Sequence, residues 1–285
     1  MSPHLPVAAQ RLAMAGLKRL VFNPNVPFDK QRARLRVATQ ASGGSSELTS
    51  INLAGVRCDE FVPRTVSSPS VIVYVHGGGY CVGSTALGAP FIKALATALQ
   101  LRAVLVDYRL APETPAPGAV DDVVAVLRAT GSNVLAVGDS AGAGALVSAL
   151  QKVKVRATVL LSPWLDLTDD RLSRPELLER DPVLSPAWLE MCAAAYAGER
   201  RGDPAVSPLL GELSLPPTMV VGGTDDVLAP DAVRLVALLR STNSPVLEMV
   251  VADMWHDFAL SVGRLEDADN ALGEIINFLT PHVER

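Results

Sequence analysis

The chain predicts an α/β fold: a mostly parallel central sheet with helices on both faces and an extra helical layer. Short continuous apolar runs such as Val71–Val75 and Ala157–Leu161 have the character of strands buried on both sides. Helix-favouring stretches alternate with these runs, and connections of that length make the strands parallel with crossover helices between them. Hydrophobic residues make up 49% of the 285 positions and charged ones 19%, which is enough for one large core and wrong for disorder.

The elements follow in order. Residues 7–21 place Val7, Leu12, Leu17, Leu20 and Val21 among Ala, Arg and Lys, a helix with an apolar stripe. Asn23-Pro24-Asn25-Val26-Pro27 stops it, and a loop is expected after that. Gly43-Gly44-Ser45-Ser46 marks a turn or short linker. Residues 48–62 read as two short strands joined through Ala54-Gly55, and 63–69 as a loop. Then come the strand Val71–Val75, a helix over 89–99, a strand over 103–106 and a helix over 120–127. The strand Val134-Leu135-Ala136-Val137 follows, with an Ala- and Leu-rich helix directly behind it, and then the strand Ala157–Leu161.

The rhythm breaks from 162 to 216. Prolines are scattered there (Pro163, Pro175, Pro182, Pro186, Pro204, Pro208) and only 187–196 reads as a strong helix, so the segment is an excursion out of the sheet. The sheet resumes at 217–222, followed by a helix over 232–239, a last strand at Val246–Val251 and a closing helix over 268–279. The expected organisation is a core of 46–161 and 217–285, an N-terminal helical arm of 1–45 and an insertion of 162–216.

A net charge of −5 gives no global attraction to nucleic acid or anionic lipid. The arm is the local exception, with Arg11, Lys18, Arg19, Lys30, Arg32, Arg34 and Arg36 against Asp29. A solvated helix face and the loop beyond it account for this run, with membrane-surface contact as the lesser alternative. Cys58, Cys81 and Cys192 are odd in number and far apart, which argues against a disulfide framework or a zinc site. Arg11 and Lys18 interrupt the only N-terminal apolar stretch, and no run approaches a membrane span, so a cytoplasmic protein is expected.

The chemistry centres on Gly138-Asp139-Ser140-Ala141-Gly142, where an apolar strand meets a helix. A serine on so tight a turn stands clear of the sheet only if the residues two before and two after carry no side chain. This G-x-S-x-G elbow is a signature of α/β hydrolases. The Ala141 amide, at the start of a helix, points where an oxyanion would develop. His76-Gly77-Gly78-Gly79-Tyr80 ends the strand Val71–Val75, and three successive glycines are entropically costly unless bare amides must approach a ligand oxygen.

A serine nucleophile needs a base. Of the four histidines, His4 and His282 lie near the termini and His76 belongs to the glycine loop, which leaves His256, just after the last strand. The acid that orients it lies in Gly223-Thr224-Asp225-Asp226-Val227-Leu228, on the same rim of the sheet; position alone barely separates Asp225 from Asp226. Activity is then expected to rise through roughly pH 6–7, as imidazole replaces imidazolium.

Together with Asp107-Tyr108-Arg109-Leu110-Ala111-Pro112-Glu113, Ser162-Pro163-Trp164-Leu165-Asp166-Leu167 and Ser207-Pro208-Leu209, these motifs resemble the hormone-sensitive-lipase family of carboxylesterases across roughly residues 71–279. The resemblance implies an α/β-hydrolase fold, Asp226 as the triad acid because Leu228 lies two residues on, and Gly77, Gly78 and Ala141 as oxyanion donors. It also implies a cap built from the N-terminal helix and residues 162–216. The chain departs from the family at Val227, where proline is common, at the less aromatic Thr114-Pro115-Ala116-Pro117, and in its short arm. The implied partner is a small ester with a short or medium acyl chain; no nucleic acid, cofactor or metal is expected, and a homodimer is compatible. An amide, thioester or lactone substrate, or a binding role without catalysis, are the alternatives.

Overall fold

The computed structural model describes residues 4–41, 47–168 and 180–284. The turn expected at Gly43-Gly44-Ser45-Ser46, and Pro175 of the excursion, lie outside them. Eight strands form one sheet in the order β1-β2-β4-β3-β5-β6-β7-β8. The hairpin β1 (Thr49–Leu53) and β2 (Val56–Phe61) turns through Ala54 and Gly55, both at positive φ, and β2 pairs antiparallel with β4 (Arg102–Val106). From β4 onward the sheet is parallel through β3 (Val71–Val75), β5 (Val134–Asp139), β6 (Ala157–Leu161), β7 (Thr218–Gly223) and β8 (Val246–Val251).

Every residue of β3, β5, β6 and β7 is buried, as uninterrupted apolar strands require, whereas β8 at the sheet edge leaves Leu247 and Val250 exposed. The helices among the described residues are α1 (Val7–Leu20), α2 (Phe28–Ala41), α3 (Thr85–Leu99), α4 (Gly118–Thr130), α5 (Ser140–Leu150), α6 (Pro186–Ala197), α7 (Ala229–Ser241) and α8 (Glu266–Leu279). The expected strands and core helices stand at or near these bounds.

The arm differs from expectation. The loop foreseen after Pro27 is the helix α2, and what it buries explains the miss. Gln31, Leu35 and Thr39 recur every fourth residue on its inner face, and two of the three are polar. A search for apolar periodicity passes over such a stripe. Gln31 is held by its amide donating to the carbonyls of Asn23 (3.0 Å) and Val26 (2.5 Å), and its oxygen accepts from Trp188 Nε1 at 2.8 Å.

The basic run is not a purely solvated face either. Arg32 makes paired 2.8 Å bonds to Glu113 and also donates to the carbonyls of Cys81 (2.7 Å) and Ala111 (2.6 Å). Arg34 donates to the Leu20 carbonyl, Lys18 to that of Asp181, and Arg11 to those of Arg180 and Asp253. The arm is therefore fastened to the loops around the carboxyl edge of the sheet.

Register sets what meets at that edge. Val75 pairs with Gly138 and Leu161 with both Asp139 and Val221, so His76, Ser140 and Ser162 leave the sheet side by side. The elbow between β5 and α5 is tight enough that a Cβ on Gly142 would collide with the carbonyl oxygens of Val75 and His76. Gly142→Ala is expected to destabilise the fold by roughly 2 kcal/mol or more. The check is the midpoint of urea unfolding; an unchanged midpoint would refute the steric argument.

Candidate active site

Ser140 sits at φ +52°, the strained left-handed conformation that a sharp strand-to-helix turn forces on a residue with a side chain. Its hydroxyl lies 2.9 Å from His256 Nε2, and His256 Nδ1 lies 3.0 Å from Asp226 Oδ1. Asp226 Oδ1 also accepts from the Leu228 amide at 2.8 Å, which fixes the carboxylate against the loop that carries it. All three side chains are buried. Three loops, after β5, β7 and β8, deliver them to one point.

Asp225 is the residue that stays outside. Its carboxylate pairs with Arg11 and Arg180, and its amide donates to the Met254 carbonyl. It ties α1 to the loops bearing the acid and the base.

Gly77 requires a correction. The register that sets Val75 beside Gly138 brings the Gly77 amide against Asp139, and this N–H donates to Asp139 Oδ2 at 2.9 Å. It is spent on holding its own loop and is not available to an oxyanion. The amides of Gly78, Gly79 and Ala141 donate to no protein acceptor among the described residues. Gly78 has φ +105°, and a Cβ there would strike the backbone of Gly83, so the loop needs glycine at that point.

The loop is braced from below. Tyr74 donates to Asp139 Oδ1 at 2.5 Å, Tyr108 donates to the His76 carbonyl at 2.9 Å, and the His76 ring stacks on Tyr108 with centroids 4.3 Å apart. Burial pushes the carboxyl of Asp139 well above the usual range, reinforced by Asp257. Burial likewise holds His76 below the ordinary histidine range, which favours the neutral ring.

Three acidic groups around His256 escaped the sequence reading. Asp257 Oδ2 stands 3.0 Å from His256 Nε2, on the nucleophile side of the ring. Neighbours in sequence ordinarily point apart; here φ +56° turns Asp257 back towards the imidazole, and no sequence signal announces that. Asp181, from the segment before α6, accepts from the amides of Val183 (2.7 Å), Leu184 (3.1 Å) and Val227 (3.1 Å), clasping the acid loop. Burial and the nearby Asp226 push its carboxyl up to about 6. Asp139 was read only as a spacer within the elbow.

Burial alone would lower the pKa of His256, but the Asp257 and Asp226 carboxylates outweigh it and hold the imidazolium well above the ordinary range. By that direction, activity is expected to rise above the ordinary histidine range rather than near pH 6–7. Asp226 is held below the usual carboxylate range: burial opposes this, and the charge and hydrogen bond of His256 prevail.

Ser140, His256 and Asp257 line a cavity of about 1090 Å³, walled by Leu17, Phe22 and Leu35 of the arm and by Leu184, Trp188 and Leu260. Among the described residues no cluster of His, Cys, Asp and Glu could hold a metal ion, and no helix is long and apolar enough to cross a membrane.

Residues 72–260 match the family model described as the alpha/beta hydrolase fold. An esterase of Acinetobacter venetianus is 31% identical over 249 residues, covering 82% of each chain, and an acetyl-hydrolase of Streptomyces hygroscopicus is 34% identical, covering 69% of this chain and 71% of its own. A crystal structure of a hormone-sensitive lipase from a metagenome library superposes with a TM-score of 0.91 at 28% identity, covering 99% of both chains. The chain belongs to the hormone-sensitive-lipase family of α/β hydrolases. Within this hydrolase the other family-like segments have structural work. Asp231 Oδ2 accepts from the amides of Leu165 (2.7 Å) and Asp166 (3.0 Å), Ser207 Oγ accepts from Leu167 at 2.9 Å, and Arg109 grips the buried Asp122.

The two adjacent acids of the hydrolase can be separated. Asp226→Asn is expected to lower kcat about 10⁴-fold by favouring the wrong imidazole tautomer. Asp225→Asn loses the ion pairs with Arg11 and Arg180, away from both ring nitrogens of His256, and should leave kcat near wild type. Steady-state kinetics on one ester measure both, and equal losses would contradict the assignment.

Proposed function

We propose that this hydrolase cleaves short- to medium-chain carboxylic esters through an acyl-enzyme on Ser140. The observation that carries the reading is the hydrogen-bonded chain Ser140–His256–Asp226, at 2.9 and 3.0 Å, beside amides with no acceptor among the described residues. His256 Nε2 takes the Ser140 proton as the oxygen attacks the ester carbonyl. Asp226 holds the tautomer that leaves Nε2 free and stabilises the imidazolium. The amides of Ala141 and Gly78, with that of Gly79, receive the negative charge on the carbonyl oxygen. His256 then protonates the departing alcohol and activates a water that releases the acid.

An ester is favoured over an amide by the names that relatives carry, among them esterase, ethyl acetate hydrolase and carboxylesterase. The cavity supports an acyl group of moderate length, because its walls are apolar and its volume suits a small ligand. We further propose that α1, α2 and the segment around α6 act as the cap, since residues from all three line that cavity. Three buried free thiols support a reducing, cytoplasmic setting.

Ser140→Ala is expected to lower ester turnover by about four or more powers of ten while the unfolding midpoint stays near wild type. A mass increase on Ser140 after exposure to an organophosphate, absent in the variant, is the direct check. A second measurement uses p-nitrophenyl esters of graded acyl length beside a matched anilide. The expected profile has kcat/KM greatest for short to medium chains and negligible anilide cleavage; comparable anilide cleavage would point to an amidase.

A further inference from the structure

We propose that Asp257 is a fourth working residue of this site, competing with Ser140 for the Nε2 proton of His256 and thereby setting the pH at which the nucleophile becomes active. The inference rests on the nucleophile reading above and deepens it. Its basis is geometric. Nε2 has one position for a proton or a lone pair, yet two oxygens approach it, Ser140 Oγ at 2.9 Å and Asp257 Oδ2 at 3.0 Å. A neutral imidazole with its proton on Nδ1, facing Asp226, would turn its Nε2 lone pair towards an anionic oxygen. That contact is repulsive unless a proton sits between them.

The placement is built into the chain. Asp257 takes φ +56°, its amide donates to Ser162 Oγ at 3.0 Å, and the residue lines the same cavity as Ser140. Its other oxygen, Oδ1, is buried, and among the described residues no backbone N–H or hydroxyl donates to it, which leaves the neighbouring Asp139 carboxyl. The Asp139 carboxyl at the end of β5 faces Asp257 closely enough to share a proton with it.

Among the described residues the ion pairs of Asp226 and Asp257 are with His256 alone. Asp226 from the β7 loop holds Nδ1, Asp181 from the segment before α6 stands behind Asp226, and Tyr74 of β3 is committed to Asp139. The basic side chains Arg11 and Lys18 of α1 are spent elsewhere, Arg11 on Asp225 and Lys18 on the Asp181 carbonyl. Burial pushes the carboxyl of Asp257 up, and the imidazolium is held in place by the carboxylates facing it.

The resting site therefore stores one proton between Nε2 and Asp257. It must leave to solvent before Nε2 can accept the proton of Ser140 Oγ. During acylation the Oγ proton moves to Nε2 as the bond from Oγ to the carbonyl carbon forms. The same proton passes to the leaving oxygen as the ester bond breaks, and Asp257 stabilises the imidazolium in between.

The test is the pH dependence of Ser140 labelling by a fluorophosphonate and of kcat/KM for p-nitrophenyl butyrate, in wild type, Asp257→Asn and Asp257→Gly. Asparagine and glycine both tolerate the left-handed backbone, so one variant serves if the other does not fold. A carboxylate this close to an imidazolium raises its pKa by about one unit or more. The expected result is a wild-type acid limb above the ordinary histidine range, displaced downward by about one pH unit or more in the variants, with a reduced plateau. Labelling with coincident midpoints in all three proteins would overturn this proposal alone. No labelling at any pH would overturn the nucleophile assignment and this proposal together.

Discussion

The site depends on one steric constraint, the contact between the first turn of α5 and the end of β3. Gly142 lies against the carbonyl oxygens of Val75 and His76 so closely that no side chain fits between them. That contact pushes the elbow hydroxyl up beside the glycine loop. Because β3 and β5 are parallel neighbours in fixed register, it also brings Asp139 under the loop amides. The strain at Ser140 persists because the buried strands β3 and β6 on both sides of β5 over-determine the backbone there.

Acidic groups then accumulate where the constraint places them. Asp139, Asp181, Asp226 and Asp257 all converge on His256, in a region where an unpaired charge is expensive. Each is handled differently. Asp181 is clasped by three backbone amides, Asp226 by one amide and the ring, and Asp139 by Tyr74 and Gly77. Among the described residues Asp257 has the ring on its Oδ2 and, besides that, only the Asp139 carboxyl beside it. His256, the proposed base, sits inside that cluster.

The basic arm supplies counter-charge one layer further out. Arg11 reaches Asp225 and the Asp253 carbonyl while its guanidinium lies 5.5 Å over the Trp255 ring, so α1 touches both the acid loop and the base loop. Arg32 performs the same service for the segment after the glycine loop, gripping Glu113 and two carbonyls. Four of the seven arm cations, Arg11, Lys18, Arg32 and Arg34, bond within the chain, and through Arg11 and Lys18 α1 is tied to the loops around His256 and Asp226.

Much of this was legible from residue order, since β-branched runs buried on both faces and an elbow flanked by glycines are local patterns with a direct physical cause. Strands β3, β5, β6 and β8, the serine and the histidine could all be read in that way. Helix α2 could not, because its inner face is Gln31, Leu35 and Thr39 and its stability comes from hydrogen bonds to distant groups. Nor could the choice between Asp225 and Asp226 by position, the commitment of the Gly77 amide to Asp139, or the return of Asp257 onto His256. The sequence by itself determined which chemical groups exist and which strands carry them to one edge, because pattern and chain order act locally. Only the tertiary structure decided which carboxylate faces which ring nitrogen and which amide is left unspent, because those outcomes turn on register and on one left-handed backbone angle.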